Sequence, residues 1–261
     1  MTETIRIDHD ARGVATIWMV RTDKHNALSA QMMDELTAAA TELSGDESVR
    51  CVVLAAEGKS FCAGGDLGWM RAQFDADAAT KDREARRLAD MLWALNFMRK
   101  PLIGRVQGNA FGGGVGMASV CDVAIGVEGL KMGLTETKLG LIPATIGPYV
   151  LARMGEAYAR RVFMSARLFD ADEARTLGLL SRVVTNAQLD DAIEQEITPY
   201  LSCAPGAVAE AKALAQSVCG NVTRDAVEAS IKALSARWDS PESGEGISAF
   251  FEKRKPNWVS S

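Results

Sequence analysis

The apolar positions change period along the chain. Residues 14–20 read as a strand, and from Leu28 the spacing becomes helical, with Met32, Leu36 and Leu43 on one face. Ser29 stands where an N-cap belongs, before the first turn of that helix. Residues 49–56 are apolar on both faces, as a strand buried between helices is. Residues 102–107 and 121–127 predict further strands. Leu88, Met91, Leu92, Leu95 and Met98 form the apolar face of an intervening helix that Pro101 ends. Between Asp75 and Arg87 the chain is rich in charge and alanine, a solvated stretch and a candidate lid. Strand, helix and strand in repeated order predict an α/β fold with parallel pairing and right-handed crossovers.

Farther on the strand pattern fades. Residues 147–154, 156–165 and 172–177 predict successive helices, the last with acidic residues at its start (Asp170, Asp172, Glu173). Beyond Pro205 the pattern is wholly helical, over residues 207–219, 224–238 and 241–253. The expected division is therefore a core of residues 1–204 followed by a helical region, residues 205–261.

Composition narrows the function. A chain of 261 residues can bury a large core, and its net charge of −5, without a long basic block, argues against a nucleic-acid partner. No apolar run approaches the ~18 to 20 residues a membrane helix needs, and no signal-peptide pattern opens the chain, so a cytoplasmic protein is expected. Cys51, Cys62, Cys121, Cys203 and Cys219 are odd in number and lack C-x-x-C spacing, and are read as buried thiols rather than disulfides or zinc ligands. His9 and His25, both flanked by polar residues, are expected at solvated or turn positions, leaving a histidine triad or metal cage poorly supplied.

Two glycine-bearing stretches follow predicted strands: Ala63-Gly64-Gly65-Asp66-Leu67, and Gly112-Gly113-Gly114 after Asn109-Ala110-Phe111. Glycine lets another molecule approach the backbone, and the first N–H groups of a helix lack internal partners. Two such loops could aim two N–H donors at one oxygen that carries or acquires negative charge. The plainer alternative is that the glycines only permit turns and close packing. Nucleotide patterns fail in both places. Val53 holds the first glycine position of a P-loop ending at Gly58-Lys59-Ser60, and the sixth position from Gly112 is Met117. Glu136, in a short stretch bounded by glycine and proline, is either a solvated turn residue or an acid/base.

The stretches Asn26-Ala27-Leu28-Ser29, Phe61-Cys62-Ala63-Gly64-Gly65-Asp66-Leu67, Gly108 through Gly114, Cys121-Asp122-Val123, Glu136 to Pro143, Ala174 to Val184 and Glu245 to Lys255 occur in order over nearly the whole chain. Together they resemble the crotonase, or enoyl-CoA hydratase/isomerase, superfamily. The resemblance implies a spiral of ββα units and C-terminal helices that drive assembly of a homotrimer or a dimer of trimers. The substrate it implies is an acyl-CoA thioester, with no separate cofactor, because CoA is part of the substrate, and no metal. It assigns the oxyanion-hole donors to the N–H groups of Gly65 and Gly113. It places the CoA along Lys24, Ala27, Ala63, Gly64, Asp66 and Leu67, with Lys253 or a neighbouring base meeting the phosphates.

Hydratases of the family commonly use two glutamates. The later one matches Glu136, whereas the earlier position is Gly116. Three readings stay open: hydration by Glu136 alone, double-bond isomerisation by one carboxylate, and acyl-CoA binding without chemistry. Asp66 through Met70, Phe111 through Met117, and Gly133 through Ala144 with Gly147-Pro148-Tyr149 are similar to bacterial methylglutaconyl-CoA and carboxygeranoyl-CoA hydratases, which favours hydration of a branched enoyl-CoA. A distal carboxylate on that acyl group would need a cation, for which Lys138, Arg71 and Arg153 are candidates.

Overall fold

The computed structural model describes residues 3–74, 76–219 and 222–259. Ten strands and ten α-helices are formed among them. β1 (Ile5–His9) pairs antiparallel with β2 (Val14–Met19), and β3 (Cys51–Ala56), β5 (Leu102–Val106), β7 (Val123–Val127) and β10 (Arg182–Val184) extend that sheet in parallel. Every residue of β3 is buried, as its unbroken apolar run requires.

A second sheet was not legible in the sequence. It contains β4 (Ser60–Cys62), β6 (Asn109–Phe111), β8 (Lys131–Gly133) and β9 (Leu168–Asp170), in that order. These strands are three residues long, too short for an apolar period to appear. Each follows a longer strand of the first sheet or a helix, so the chain repeatedly passes from one sheet to the other and returns through a helix. That is the spiral of ββα units.

The helices complete each turn of the spiral. α1 (Ala30–Gly45) starts as expected, with the Ser29 hydroxyl accepting from Met32 N–H at 3.2 Å. α2 (Leu67–Phe74) and α3 (Ala78–Asn96) follow β4, and α4 (Gly113–Val120) follows β6. α5 (Gly147–Phe163) is broken where Gly155 takes φ 72°, so the two expected helices are its halves. α6 (Ala171–Thr176) is capped by Asp170, and α7 (Leu189–Leu201) precedes α8 (Pro205–Cys219), α9 (Arg224–Trp238) and α10 (Pro241–Phe251).

Two expectations are corrected. The charged stretch proposed as a lid is helical from Ala78 onward, capped by Asp77, and Lys81 and Glu84 are buried within it; Asp75 lies outside the described residues. Partners across the fold explain the burial: Lys81 Nζ meets Asp239 at 2.7 Å, and Arg86, half-exposed beside it, meets Glu228 at 2.6 Å, tying α3 to α9 and the turn after it. Of the cysteines, Cys51, Cys62 and Cys121 are buried but Cys203, between α7 and α8, and Cys219, at the end of α8, are exposed. His9 and His25 are exposed, the latter with φ 52° in a turn.

α9 and α10 pack on the spiral of their own chain, and α8, which buries no residue, is tied to it by side-chain hydrogen bonds. Lys212 of α8 reaches Asp122 at 2.7 Å, and Asp122 also accepts from Leu102 N–H at the start of β5. α10 lies against the 3-10 turn Glu136–Leu139, so closely that a Cβ on Gly140 would overlap the Glu242 carbonyl and one on Gly246 would overlap Leu139.

Candidate active site

The first glycine loop is held by the segment before α1. Leu28 N–H donates to Gly64 O at 2.8 Å and Asp66 N–H to Leu28 O at 2.9 Å, a parallel bridge between Leu28 and Gly65. Such a bridge uses the groups flanking Gly65, so Gly65's own N–H points away from Leu28. Ala63 N–H donates to His25 O, while the buried Asn26 amide donates to Glu57 O and Ser60 O. Asp66 is occupied: one carboxylate oxygen accepts from Gly68 and Trp69 N–H at the start of α2, and the other meets Arg21 at 3.0 Å.

The second loop begins α4. Gly112 takes φ 48° and donates its N–H to Gly133 O, leaving Gly113 as the first helical residue, whose N–H has no partner inside the helix. The two loops touch: an added Cβ at Gly64 would stand 3.1 Å from Phe111 O and 3.9 Å from Gly113 N. A Cβ at Gly112 would stand 2.9 Å from Glu136 Oε1. Gly64, Gly112, Gly113 and Glu136 therefore lie together, and Gly65 lines the same cavity.

Glu136 is not the solvated turn residue that local sequence alone leaves open. Its Oε2 is buried without a hydrogen-bond partner, and burial pushes the carboxyl up to about 7, opposed only weakly by its own N–H. A carboxyl balanced near neutrality can accept and return a proton in one cycle. The nearby Cys62 thiol is pushed up to about 12 by burial and stays neutral.

At Gly116, where two-glutamate hydratases place their other carboxylate, the structure has no room. An added Cβ would overlap Ile146 Cγ2 and come within 2.9 Å of Ile146 Cβ. The position is filled from α5's entrance by an apolar side chain, so Glu136 is the single carboxyl at this site among the described residues.

Glu136, Gly64, Gly65, Gly112 and Gly113 line a mostly apolar cavity of about 500 Å³. Trp69, Met70, Thr145 and Ile146 also line it, as do Leu234, Trp238 and Phe250 of α9 and α10. Trp69 is fixed from behind: its indole N–H donates to the buried Glu84 carboxylate at 2.8 Å, and Arg87 links Glu84 to Asp34. Motif reading quoted Trp69 but missed its role and missed the lining residues of α9 and α10. The helical pattern over 224–238 does not reveal that Leu234 and Trp238 are buried against this cavity.

The sequence-derived site residues fall into two groups. Glu136, Gly65, Gly113, Ala63, Gly64 and Leu67 line the cavity. Lys24, at the exposed end of a 3-10 turn, Ala27, Asp66 and Lys253 do not. Lys253 is exposed at φ 55°, three residues beyond the cavity-lining Phe250. Among the three candidate cations, Lys138 lines the cavity, Arg153 is bound to Ser119 O and Asp122 O, and Arg71 lies over the Phe251 ring. No group of three metal-ligating side chains and no helix long and apolar enough to cross a membrane is found among the described residues.

The spiral of ββα units, with two glycine loops and one buried carboxyl at an apolar cavity, has the form of an enzyme site. The chain belongs to the enoyl-CoA hydratase/isomerase family, whose profile matches residues 9–261. It is 33% identical over 259 residues to a Mycobacterium bovis protein named "probable enoyl-CoA hydratase", covering 98% of each chain. A crotonyl-CoA hydratase of Syntrophomonas wolfei is 31% identical, with 95% of each covered. Among solved structures, an enoyl-CoA hydratase of Mycobacterium avium is similar at a TM-score of 0.88 and 31% identity, covering 99% of this chain and all of that one (100%).

Proposed function

We propose that the protein adds water across the conjugated double bond of an enoyl-CoA thioester, with Glu136 as its single acid/base. The observation that carries this reading is the buried Glu136 carboxyl, unpartnered at Oε2, beside the loops that present Gly65 and Gly113 N–H. The thioester oxygen sits between those two donors. Water oxygen bonds to the β-carbon as Glu136 accepts one of its protons, and the π pair moves onto the thioester oxygen as an enolate. The two N–H groups stabilise that charge as it develops. Glu136 then returns the proton to Cα, giving a 3-hydroxyacyl-CoA and restoring the carboxylate.

The CoA portion runs along Lys24, Ala27, Ala63 and Leu67, with Lys253 near its phosphates. Asp66 acts there by holding Arg21 and the start of α2. The acyl group is branched and carries a distal carboxylate of the methylglutaconyl type, supported by Lys138 at the cavity's edge. α8 to α10 are the elements through which a homotrimer or dimer of trimers assembles, and the enzyme works in the cytoplasm.

Isomerisation is favoured by one observation, the filling of the second acid/base position by Ile146, because moving a proton between Cα and Cγ needs one carboxylate and no water. Reaction in ¹⁸O-water over a panel of straight, branched and carboxylate-bearing enoyl-CoA thioesters separates the readings. Label in a 3-hydroxyacyl-CoA is the expected result. A shifted double bond without label replaces hydration by isomerisation, and binding without turnover replaces both. A Lys138→Ala variant is expected to raise KM for carboxylate-bearing substrates alone; equal effects on all substrates exclude the Lys138 contact.

A further inference from the structure

The cavity offers few groups able to hold a polar part of a substrate. Among the described residues, several buried side-chain oxygens have no hydrogen-bond partner, and only two of them, Glu136 Oε2 and Thr145 Oγ1, belong to residues that line the cavity. Thr145 is 2% exposed. It sits in the tight turn that leads into α5, held through the main chain by Ala144 N–H to Ile142 O and Gly147 N–H to Ala144 O, both 2.8 Å.

The ordinary employment of such a hydroxyl is to cap the helix that follows. Here the N-cap position of α5 is Ile146 and no side chain caps it. A buried hydroxyl with no bond is destabilising, and one carried by a residue that lines a cavity can be satisfied by what the cavity binds. Its neighbour Ile146 fills the space against Gly116, so Thr145 is the cavity-lining residue next in the chain to the one that excludes a second carboxylate.

We infer that the Thr145 hydroxyl is the second polar contact of the hydration site, holding the oxygen that becomes the 3-hydroxyl of the product. This rests on the hydration reading above. The proton balance is complete without Thr145 ionising. One hydrogen of the attacking water passes to Glu136 and then to Cα; the other stays on the oxygen and is donated to Thr145 Oγ1. After addition, the same hydroxyl bonds the product's 3-OH. Two hydrogens of one water are thereby held by two different side chains.

The test compares wild type, Thr145→Val and Thr145→Ser. Hydration of crotonyl-CoA at saturation is expected to fall about tenfold or more in the valine variant and to be largely restored by serine. Calorimetry supplies a readout independent of turnover: affinity for 3-hydroxybutyryl-CoA relative to butyryl-CoA is expected to drop about tenfold in Thr145→Val alone. Butyryl-CoA affinity is expected to be equal in all three proteins. The melting temperature of Thr145→Val is expected to match or exceed wild type, because no internal bond is lost. An unchanged ligand preference in Thr145→Val, or a clear fall in its melting temperature, overturns the assignment. If wild type hydrates nothing, the hydration reading fails on that result. The ligand pair still decides on Thr145: a preference lost in valine and kept in serine supports the contact, and no preference in wild type removes it.

Discussion

Two parts of the cavity lining differ: the glycine loops, its floor, are proposed to act through the main-chain N–H of Gly65 and Gly113, whereas α9 and α10, its roof, contribute the side chains of Leu234, Trp238 and Phe250. The floor is built by short loops leaving strands, each pinned by backbone hydrogen bonds to a neighbouring segment. The roof comes from a part of the chain more than 80 residues later in sequence, joined to the turn that carries Glu136 by packing and by Arg237 donating to Gly140 O. A floor of main-chain dipoles acts on charge that appears during reaction; a roof of apolar surface acts on the substrate throughout. Changes at the floor are therefore expected to lower kcat, and changes at the roof to raise KM.

Glu136 stands where the two regions meet, and Glu136→Gln is expected to have the largest effect, a loss of about 10² to 10⁴-fold in kcat with acyl-CoA affinity retained. In wild type, kcat/KM is expected to rise with pH about a midpoint near 7, as the free carboxylate forms. The same burial has a stability consequence. Because the folded carboxyl titrates near 7 and the unfolded one near 4.5, the folded state holds the proton over that window and loses relative stability as pH rises through it. Glu136→Gln is thus expected to be more stable than wild type above pH 7 by on the order of 3 kcal/mol, with the gain vanishing below about pH 4.5. Urea melts at pH 4 and pH 8 measure it; a gain equal at both excludes a raised carboxyl.

Gly113→Pro comes next. It removes one donor at a position where proline's backbone is tolerated, the first residue of a helix, so a loss of about 10²-fold in kcat with an unchanged circular dichroism spectrum is expected. Gly113→Ala keeps the N–H and meets only the end of the Leu28 side chain, so it is expected to lose far less. Equal losses in the two variants break the oxyanion assignment.

At the roof, Phe250→Ala is expected to raise KM about three- to tenfold with kcat nearly unchanged, a uniform-binding effect read from steady-state kinetics. A fall in kcat of the same size places α10 in the chemistry as well. The smallest effect is expected for Glu84→Gln, which keeps an acceptor for the Trp69 indole: at most about a twofold change in kcat, with altered tryptophan fluorescence. Glu84→Ala, which frees the indole that lies beside Gly65, is the sharper variant, and a loss confined to KM assigns Trp69 to the acyl wall alone.

How much of this was legible in sequence differs by region. β3, β5, β7 and the start of α1 follow from apolar period and an N-cap, which are local properties. The second sheet escaped because three-residue strands carry no period, and the burial of Lys81 and Glu84 escaped because their partners lie on other segments. Motif order assigned Glu136, Gly65 and Gly113 together.

What the sequence determined by itself was therefore residue identity: glycine at positions 65, 113 and 116, and a carboxyl at Glu136. Tertiary structure alone decided the state of those groups. Ile146, thirty residues along the chain from Gly116, closes the space a second acid would need. Burial contributed by distant segments leaves Glu136 without a partner and near neutrality, because desolvation is set by everything packed around a charge and not by its neighbours in sequence.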